Sequence, residues 1–304
     1  MNEELFLNMY KLKSHTVKTL HLSIRIEAYC RGLFEELPSN KSVKKSVLKG
    51  AIKVNGQNIS SAYYVKEGDE IELWELEENP PLPYDLPIQI VYEDDDLAVV
   101  FKPAGLPTSG NFYRTLENAV QGKLYMSCNN PLRWPKPVHR LDSPTSGLVI
   151  IAKSIHARVK LGWMLENRKI QKTYCALLSG RLTENLRIEI PLDGKDAISE
   201  LSIIECKESL NNKYMTKVFM KPHTGRTHQL RKHAALIKHP IIGDAKYGER
   251  GNVLLHKGLF LCAIQLKFIH PITFKEIHIQ LEPPEKFDKL MDREFNRFMK
   301  YKNE

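Results

Sequence analysis

An aspartate lies between a polar turn and an apolar segment in the stretch HRLDSPTSG, residues 139–147. Asp142 is followed by a Ser-Pro turn and then by the apolar run LVIIA. A loop held by a rigid strand can place a carboxylate in a cleft, where it could act on a substrate. The more common role of an aspartate before a turn is to bind nearby backbone amides. Arg140, two residues earlier, points the same way on an extended chain and could line the same groove, although a surface ion pair would fit as well.

A second cluster of reactive side chains occupies residues 223–248, HTGRTHQLRKHAALIKHPIIGDAKYG. Arg226 and Thr227 fall at the start of a predicted helix, where free amides favour anions. His228 and Arg231 are three residues apart and share a helical face. The four histidines, at 223, 228, 233 and 239, are spaced by five and six residues and have no carboxylate to complete a zinc set. We therefore expect no metal site.

Other reaction classes lack their signatures. The chain has no Walker loop, no dinucleotide-binding fingerprint and no Gly-x-Ser-x-Gly elbow, so we expect no cofactor. The consecutive aspartates 94–96 are typical of a solvated turn. A hydrolase that used Asp142 on a phosphate or an ester would need a metal cluster or a second catalytic carboxylate, and neither is evident.

The composition favours a polyanionic partner. The chain has 304 residues, 45 Lys and Arg against 36 Asp and Glu, a formal charge of +9 and a pI of about 9.1. Its five cysteines are scattered, which indicates neither a disulfide framework nor a thiolate zinc site. No export signal or membrane-spanning run is evident, so the sequence predicts a cytoplasmic protein without a membrane partner. Nothing in it requires more than a monomer.

An acidic, proline-rich segment, WELEENPPLPYDLP, divides the chain into predicted domains at 1–79 and 80–304. In the first, a short helix is predicted with a cap at Ser39 or Asn40 and a stop at Gly50, followed by a hairpin that turns at Asn55-Gly56. Val43, Val47 and Leu48 are expected to face inward. Lys41, Lys45 and Lys49 stack on one face, which is either a solvated surface or a phosphate-binding ridge.

The second predicted domain is richer in strands than in helices. Two strands flank the acidic turn in IQIVYEDDDLAVVFKPAGLP, and IQKTYCALLSG, SELSIIECKE and KYMTKVFMKP each indicate another. Residues 155–169 fit an amphipathic helix with its Met and Leu side chains in the core. The expected fold class is α+β, built on a mostly antiparallel sheet.

The first domain resembles the S4 RNA-binding domain. The resemblance lies in a short helical pair from about His21 and in VLKGAIKVNGQNISSAYYVKEGDEIEL, which matches the strand-turn-strand end of that domain. It implies an S4-like α/β fold that binds structured RNA, chiefly through phosphates. Lys41, Lys45 and Lys49 are assigned to that binding.

The second domain resembles the RluA-type pseudouridine synthases, which isomerise uridine to pseudouridine in ribosomal or transfer RNA. HRLDSPTSG matches their H-R-L-D-x-x-T-S-G signature, and FKPAGLP, KTYCALLSG and residues 224–248 agree in order, as does LLHKGLFLCAIQLKFIHP near the end. The resemblance implies a catalytic set in which Asp142 is the nucleophile, Tyr174 lies against the base and accepts the C5 proton, and Arg226 pairs with Asp142.

The same resemblance assigns further residues to the RNA. Arg140 would fill the stack left by the flipped nucleotide, Leu230 would pack beneath the base, and Lys102 of the Lys-Pro-Ala-Gly loop is assigned to RNA binding. The family's attack at the sugar C1′ or at the base C6 stays open. The implied partner is structured RNA, with ribosomal RNA favoured and transfer RNA open. The alternative is a non-catalytic RNA-binding or ribosome-assembly protein of the same fold, which the presence of the three catalytic residues disfavours.

Overall fold

The chain divides into two units, Met1–Pro80 and Pro81–Glu304, in this computed structural model. The structure describes residues 9–20, 22–34, 36–76, 81–248 and 257–302. The predicted boundary at residue 79, the first eight residues of the predicted first domain and residues 254–256 of the last matched motif lie outside those ranges. The resemblance of the first unit to an S4 domain stays a prediction.

In the part of the first unit that the structure describes, a four-stranded antiparallel sheet, in the order β1-β4-β2-β3, packs with two helices. Apolar side chains from the helices and the sheet form one buried core between them. The elements are β1 (Met9–Thr16), α1 (Ile26–Tyr29), α2 (Asn40–Leu48), β2 (Ile52–Val54), β3 (Gln57–Asn58) and β4 (Glu70–Leu76).

Helix α2 begins as the sequence predicts. The Ser39 hydroxyl accepts a hydrogen bond from the Ser42 amide, which caps the first turn. Val43 and Val47 are buried one turn apart, but Leu48 is 75% exposed, so its predicted inward orientation is wrong. The reason is geometric: Leu48 is one residue beyond the i, i+4 stripe and turns off the buried face.

The predicted hairpin at Asn55-Gly56 is confirmed. Both residues have positive φ, 51° and 75°, and they join β2 to β3. The Asn55 amide also donates to the buried Asp69 carboxylate, which accepts from the Tyr63 hydroxyl and the Lys66 amide. These bonds tie the hairpin to the loop that precedes β4.

The second unit is built on a ten-stranded sheet, and the expected α+β, mostly antiparallel fold is confirmed. Eight strands run in the order β10-β11-β12-β9-β13-β8-β6-β5, while β14 pairs with β13 and β7 pairs with β8. Only β8 and β13 pair in parallel among the described strands. The strands are β5 (Gln89–Glu93), β6 (Leu97–Lys102), β7 (Pro131–Pro137), β8 (Ser146–Ser154), β9 (Gln171–Ser179), β10 (Leu186–Ile188), β11 (Ser199–Ser209), β12 (Lys213–Pro222), β13 (Leu261–Ile269) and β14 (Glu276–Gln280).

Within the described residues this unit also has the helices α3 (Leu116–Ala119), α4 (Ile155–Glu166), α5 (Gln229–Leu236) and α6 (Lys286–Lys302). The predicted helix at 155–169 is confirmed but ends at Glu166, and Leu161 and Met164 are buried. The predicted turn at residues 94–96 is also confirmed, with the Asp94 carboxylate accepting from the Asp96 and Leu97 amides. Within the described ranges, no helix is both long and apolar enough to cross a bilayer.

Strand β8 is the central element of the second unit. All nine of its residues are buried, and alternate side chains enter two different cores. Val149 and Ile151 join one core, and Leu148, Ile150 and Ala152 join the other. A strand packed on both faces is a rigid base for the loop that leads into it. That loop carries Asp142.

Candidate active site

Asp142 lies in the loop between β7 and β8, with its side chain 22% exposed. Its carboxylate contacts Arg231 of α5 and His228, the residue directly before that helix. Arg231 Nη1 donates to Asp142 Oδ2 at 3.2 Å, and His228 Nε2 lies 3.7 Å from Asp142 Oδ1. Both side chains thus approach this carboxylate, but the predicted shared helical face is wrong, because His228 precedes the helix with a left-handed backbone (φ 54°). The contacts leave Asp142 partly open to solvent beside a fixed positive charge.

A buried carboxylate holds the guanidinium of Arg231 in place. Asp244, 1% exposed, accepts from Arg231 Nε at 2.7 Å and from Nη2 at 2.8 Å, a bidentate pair. Burial favours the neutral form of Asp244, but its bonds to Arg231 and to the backbone amides of Tyr247 and Lys246 hold its pKa below the usual value. Burial likewise opposes the charge on Arg231, while Asp244 and then Asp142 raise the pKa of the guanidinium. Arg231 therefore stays charged between two acids.

Lys102, at the end of β6, binds the backbone of the loop that carries Asp142. Lys102 is fully buried, and its Nζ donates to the carbonyls of Pro103 at 2.9 Å, Leu106 at 2.7 Å and Ser143 at 3.2 Å. The prediction that Lys102 binds RNA is wrong for this structure, because the ammonium points into the protein to satisfy carbonyls of two loops. Burial lowers the pKa of Lys102 to about 8, and the charge of Asp142 acts against that shift.

Further bonds join the same two loops. The Thr108 hydroxyl, which is buried, donates to the carbonyl of Leu141 and accepts from the Leu141 amide, at 3.0 and 3.1 Å. The Gly105 amide donates to the carbonyl of Ser143 at 2.7 Å. The FKPAGLP segment and Thr108, which directly follows it, therefore fix the backbone on both sides of Asp142, which restricts where the carboxylate can point.

The glycine that ends the HRLDSPTSG stretch is required by packing. Gly147 has a φ of +123° and pairs with Ala263 where β8 and β13 run in parallel. A Cβ atom placed on Gly147 would lie 2.2 Å from the Ala263 carbonyl oxygen. No side chain fits there without separating the two strands below the loop of Asp142.

Asp142 lies in a cavity of about 1100 Å³, lined in part by Tyr174, Leu230 and Leu261. Tyr174 is 9% exposed and Leu230 is 6% exposed, so each shows only a small surface to this space. Burial raises the pKa of Tyr174 well above its usual value, and the charge of Asp142 adds to that effect. The cavity therefore combines a carboxylate, a protonated phenol and apolar walls.

Arg226 lines this cavity but does not contact Asp142. Its Nε donates to the carbonyl of Asp196 at 2.8 Å, and its backbone amide donates to Gln229 Oε1. The predicted pairing of Arg226 with Asp142 is wrong for this structure, since Arg231 occupies that place. The cause is the position of the helix start: α5 begins at Gln229, so Arg226 precedes the helix and Arg231 lies on its inner face.

Arg140 is exposed and lines the same cavity, next to Asp142 in the loop. The three lysines assigned to RNA binding lie in the other unit. Lys41, Lys45 and Lys49 are exposed on or directly after α2, on the side away from Val43 and Val47. The structure thus brings together Asp142, Tyr174, Arg226, Leu230 and Arg140 in one cavity, and it describes the lysine ridge separately.

The histidines of residues 223–248 have structural partners. His228 Nδ1 bonds to the Tyr247 hydroxyl at 2.8 Å, and burial lowers the pKa of this imidazole despite the opposing charge of Asp142. His233 is fully buried, with Nδ1 bonded to Ser199 Oγ and Nε2 to the carbonyl of Ile190, both at 2.9 Å. His228 is therefore neutral at pH 7 and adds no charge beside Asp142.

Sequence reasoning assigned no role to Asp244 or Tyr247, although both stand in the matched GDAKYG segment. Tyr247 contacts His228, and its ring lies 5.2 Å below the Arg231 guanidinium. An acid shortly after a helix that carries an arginine would have been the available signal for Asp244. Its burial, which makes the pair strong, is not visible in a sequence.

Comparison with known proteins finds RNA pseudouridine synthases. The model of a family described as RNA pseudouridylate synthase matches residues 96–236. An uncharacterized RNA pseudouridine synthase of Aquifex aeolicus is 33% identical, over 82% of this chain and 87% of that protein. Ribosomal large subunit pseudouridine synthase D of Vibrio cholerae is 30% identical, over 90% and 91%. The solved structure of human RNA Pseudouridylate Synthase Domain Containing 1 shares the fold, with a TM-score of 0.53 and 23% identity over 68% of this chain and 95% of that one.

Proposed function

Since the chain belongs to the RluA-type RNA pseudouridine synthases, and is therefore an isomerase that acts on uridine in RNA, we propose that Asp142 is its nucleophile. The observation that carries this proposal is the carboxylate itself, partly exposed in the cavity and fixed by Arg231 at 3.2 Å. A guanidinium at this distance holds the carboxylate in one orientation, which a nucleophile that meets a bound nucleotide requires. The bonds from Thr108 and Lys102 hold the loop in one position.

The reaction breaks the N-glycosidic bond and rejoins the uracil to the sugar through C5, with loss of the C5 proton. The detached uracil must stay beside the sugar, so enclosure by the cavity walls serves the chemistry. Leu230 and Leu261 offer apolar surface to one face of the base. Attack by Asp142 at C1′ or at C6 is compatible with the same placement of the carboxylate.

Tyr174 is proposed to lie against the base. Because its pKa is raised, the phenol enters the reaction protonated. A protonated phenol can accept the C5 proton only as it passes its own proton on. Covalent attachment of Asp142 would neutralise that carboxylate and remove its contribution to the raised pKa of Tyr174, while burial would continue to raise it.

The proposed substrate is a uridine in structured RNA, with ribosomal RNA favoured over transfer RNA. The formal charge of +9 and the exposed lysines of α2 support a polyanionic substrate. The relative from Vibrio cholerae is named for the large ribosomal subunit, which agrees with that preference. A target in a loop or bulge costs less to extrude than one within a helix.

Tritium release tests both the reaction and the nucleophile. RNA from a strain lacking this gene, labelled with tritium at uridine C5, is incubated with the wild-type protein or with Asp142→Ala. We expect release by the wild type and a loss of at least roughly a thousandfold in the variant, with RNA binding nearly unchanged since phosphate contacts dominate affinity. Asp288→Asn on α6 is the matched control and should retain full activity.

Two outcomes would contradict the proposal. Full activity in Asp142→Ala would exclude Asp142 as the nucleophile. RNA binding without tritium release by the wild-type protein, on free RNA and on assembling ribosomal particles, would favour the non-catalytic alternative.

A further inference from the structure

Lys172 differs from the other cations around the cavity because it is both partly buried and, within the described part of the chain, unpaired, whereas Arg140, Arg168 and Lys221 are exposed. It is half-buried near the start of β9, and among the described residues no ion pair or hydrogen bond engages it. Arg231 has two carboxylates, Arg226 has a backbone carbonyl, and Lys267 lies 3.2 Å from Glu276. Lys172 is thus a positive charge withdrawn from water without a protein acceptor.

The strand directs Lys172 into the same space as Tyr174. The two residues are two positions apart on β9, whose side chains alternate between faces, so both point to the cavity side. Their Cα atoms are separated by roughly 7 Å along the strand. That separation matches the reach from a base to the backbone phosphate of its own or an adjacent nucleotide. A base against Tyr174 therefore brings a phosphate near Lys172.

The wall around Lys172 is positive. Arg140 and Arg168 line the same cavity with exposed guanidinium groups. The two acids of the cavity lining are engaged elsewhere: Asp142 by Arg231, and Glu200 by Arg187 and His223. His139, which is close to Lys172, is neutral, because burial and the charge of Lys172 lower its pKa and its Nε2 accepts from the Ile150 amide. This wall favours a ligand with negative charge over a neutral carbonyl.

We propose that Lys172 binds a backbone phosphate of the RNA next to the target uridine, with Arg140 and Arg168 on the same wall. An ammonium acts on phosphate as a point charge, which suits a single short contact. Burial in the absence of an acid lowers the pKa of Lys172 to about 8, and an arriving phosphate would oppose that shift. The inference rests on the proposed function, because it takes the base against Tyr174 to be the target uracil.

The test is the salt dependence of tritium release from the labelled RNA, with wild type, Lys172→Met, Lys172→Arg and the exposed control Lys300→Met. For Lys172→Met we expect KM to rise about tenfold, as for one lost charge-assisted contact, with kcat within about twofold. The plot of log(kcat/KM) against log[KCl] should become shallower by about one. Lys172→Arg should stay near wild type, and Lys300→Met should match it.

Misfolding does not confuse this test. Methionine keeps most of the volume of lysine and removes an unpaired charge from a half-buried site, so the melting temperature should be equal or higher. An unchanged KM and salt slope would overturn the proposal. A fall in kcat with the slope unchanged would also overturn it, since that pattern indicates contact with the base.

Failure of the proposed function has a different signature. Wild-type protein that releases no tritium would contradict the isomerisation. The salt slope would then be measured by filter binding of the same RNA, where a shallower slope for Lys172→Met supports the phosphate contact and equal slopes reject it.

Discussion

Helix α2 of the first unit and the surroundings of Asp142 in the second use basic side chains in opposite ways. On α2, Lys41 and Lys45 are exposed to solvent. Around Asp142, Lys102 is fully buried and donates to three carbonyls, and Arg231 is 6% exposed between two carboxylates. Exposed charges act on a distant partner and contribute little to folding, whereas buried ones position the protein's own groups. Burial, more than residue type, therefore decides what a lysine or an arginine does here.

Removing the buried guanidinium should have the largest effect on stability. Arg231→Gln would leave Asp244 buried without its cation and Asp142 without its partner, so we expect a loss of roughly 3–5 kcal/mol in the free energy of unfolding. Activity should fall at least about a hundredfold, because the carboxylate is no longer fixed. Urea unfolding and tritium release measure the two effects. Arg226→Gln is the control for stability. If it lowered the free energy of unfolding as much as Arg231→Gln, the contrast between buried and exposed cations would be contradicted.

The next effect should come from Lys102→Met. The substitution leaves the carbonyls of Pro103, Leu106 and Ser143 without their shared donor, so we expect a loss of about 2 kcal/mol in the free energy of unfolding. The loop of Asp142 should also loosen, which predicts a lower kcat with RNA affinity unchanged. If Lys102→Met instead weakened RNA binding and left the free energy of unfolding unchanged, Lys102 would act on RNA, as proposed for the exposed lysines of α2.

The buried lysine should also give the protein a distinctive pH dependence. The pKa of Lys102 is lowered to about 8 in the folded state, from 10.5, so the unfolded chain binds more protons between these values. The contribution of Lys102 to the free energy of unfolding should therefore become more favourable to the folded state as the pH increases from about 8 to 10.5. The rise should be smaller in Lys102→Met when both proteins are unfolded by urea across this range. Identical pH profiles would show that the ammonium is solvated.

The smallest effect on stability is expected from the exposed lysines. A triple change of Lys41, Lys45 and Lys49 to Gln should alter the free energy of unfolding by less than about 0.5 kcal/mol. It should nevertheless weaken RNA binding and reduce the slope of log K against log[KCl] by about two to three. Filter binding at several salt concentrations measures this. An unchanged slope would mean that α2 is only a solvated face.

The elements of the fold were accessible from sequence patterns, whereas the partners of buried charges were not. Alternation predicts β9, β11 and β12, and the Asn-Gly pair predicts the hairpin in the first unit, since these signals are local. The position of Asp142 was also predicted. Lys102 was assigned to RNA because a loop lysine looks the same in a sequence whether it points outward or inward.

The error on Arg226 has a similar origin. Two arginines five residues apart could each have paired with Asp142, and the choice depends on where α5 begins. Arg226 precedes the helix, so its side chain does not lie on the helical face that carries Arg231. Helix ends are the least certain part of a pattern.

The parallel pairing of β8 with β13 has a consequence for the order in which the enzyme matures. Gly147 meets Ala263, so the two strands below Asp142 come from parts of the chain separated by more than a hundred residues. Contacts at such separation close late, because the chain between them must first be ordered. During synthesis, the loop of Asp142 leaves the ribosome long before the strand that supports it. The nascent chain is therefore expected to gain activity only after β13 has emerged.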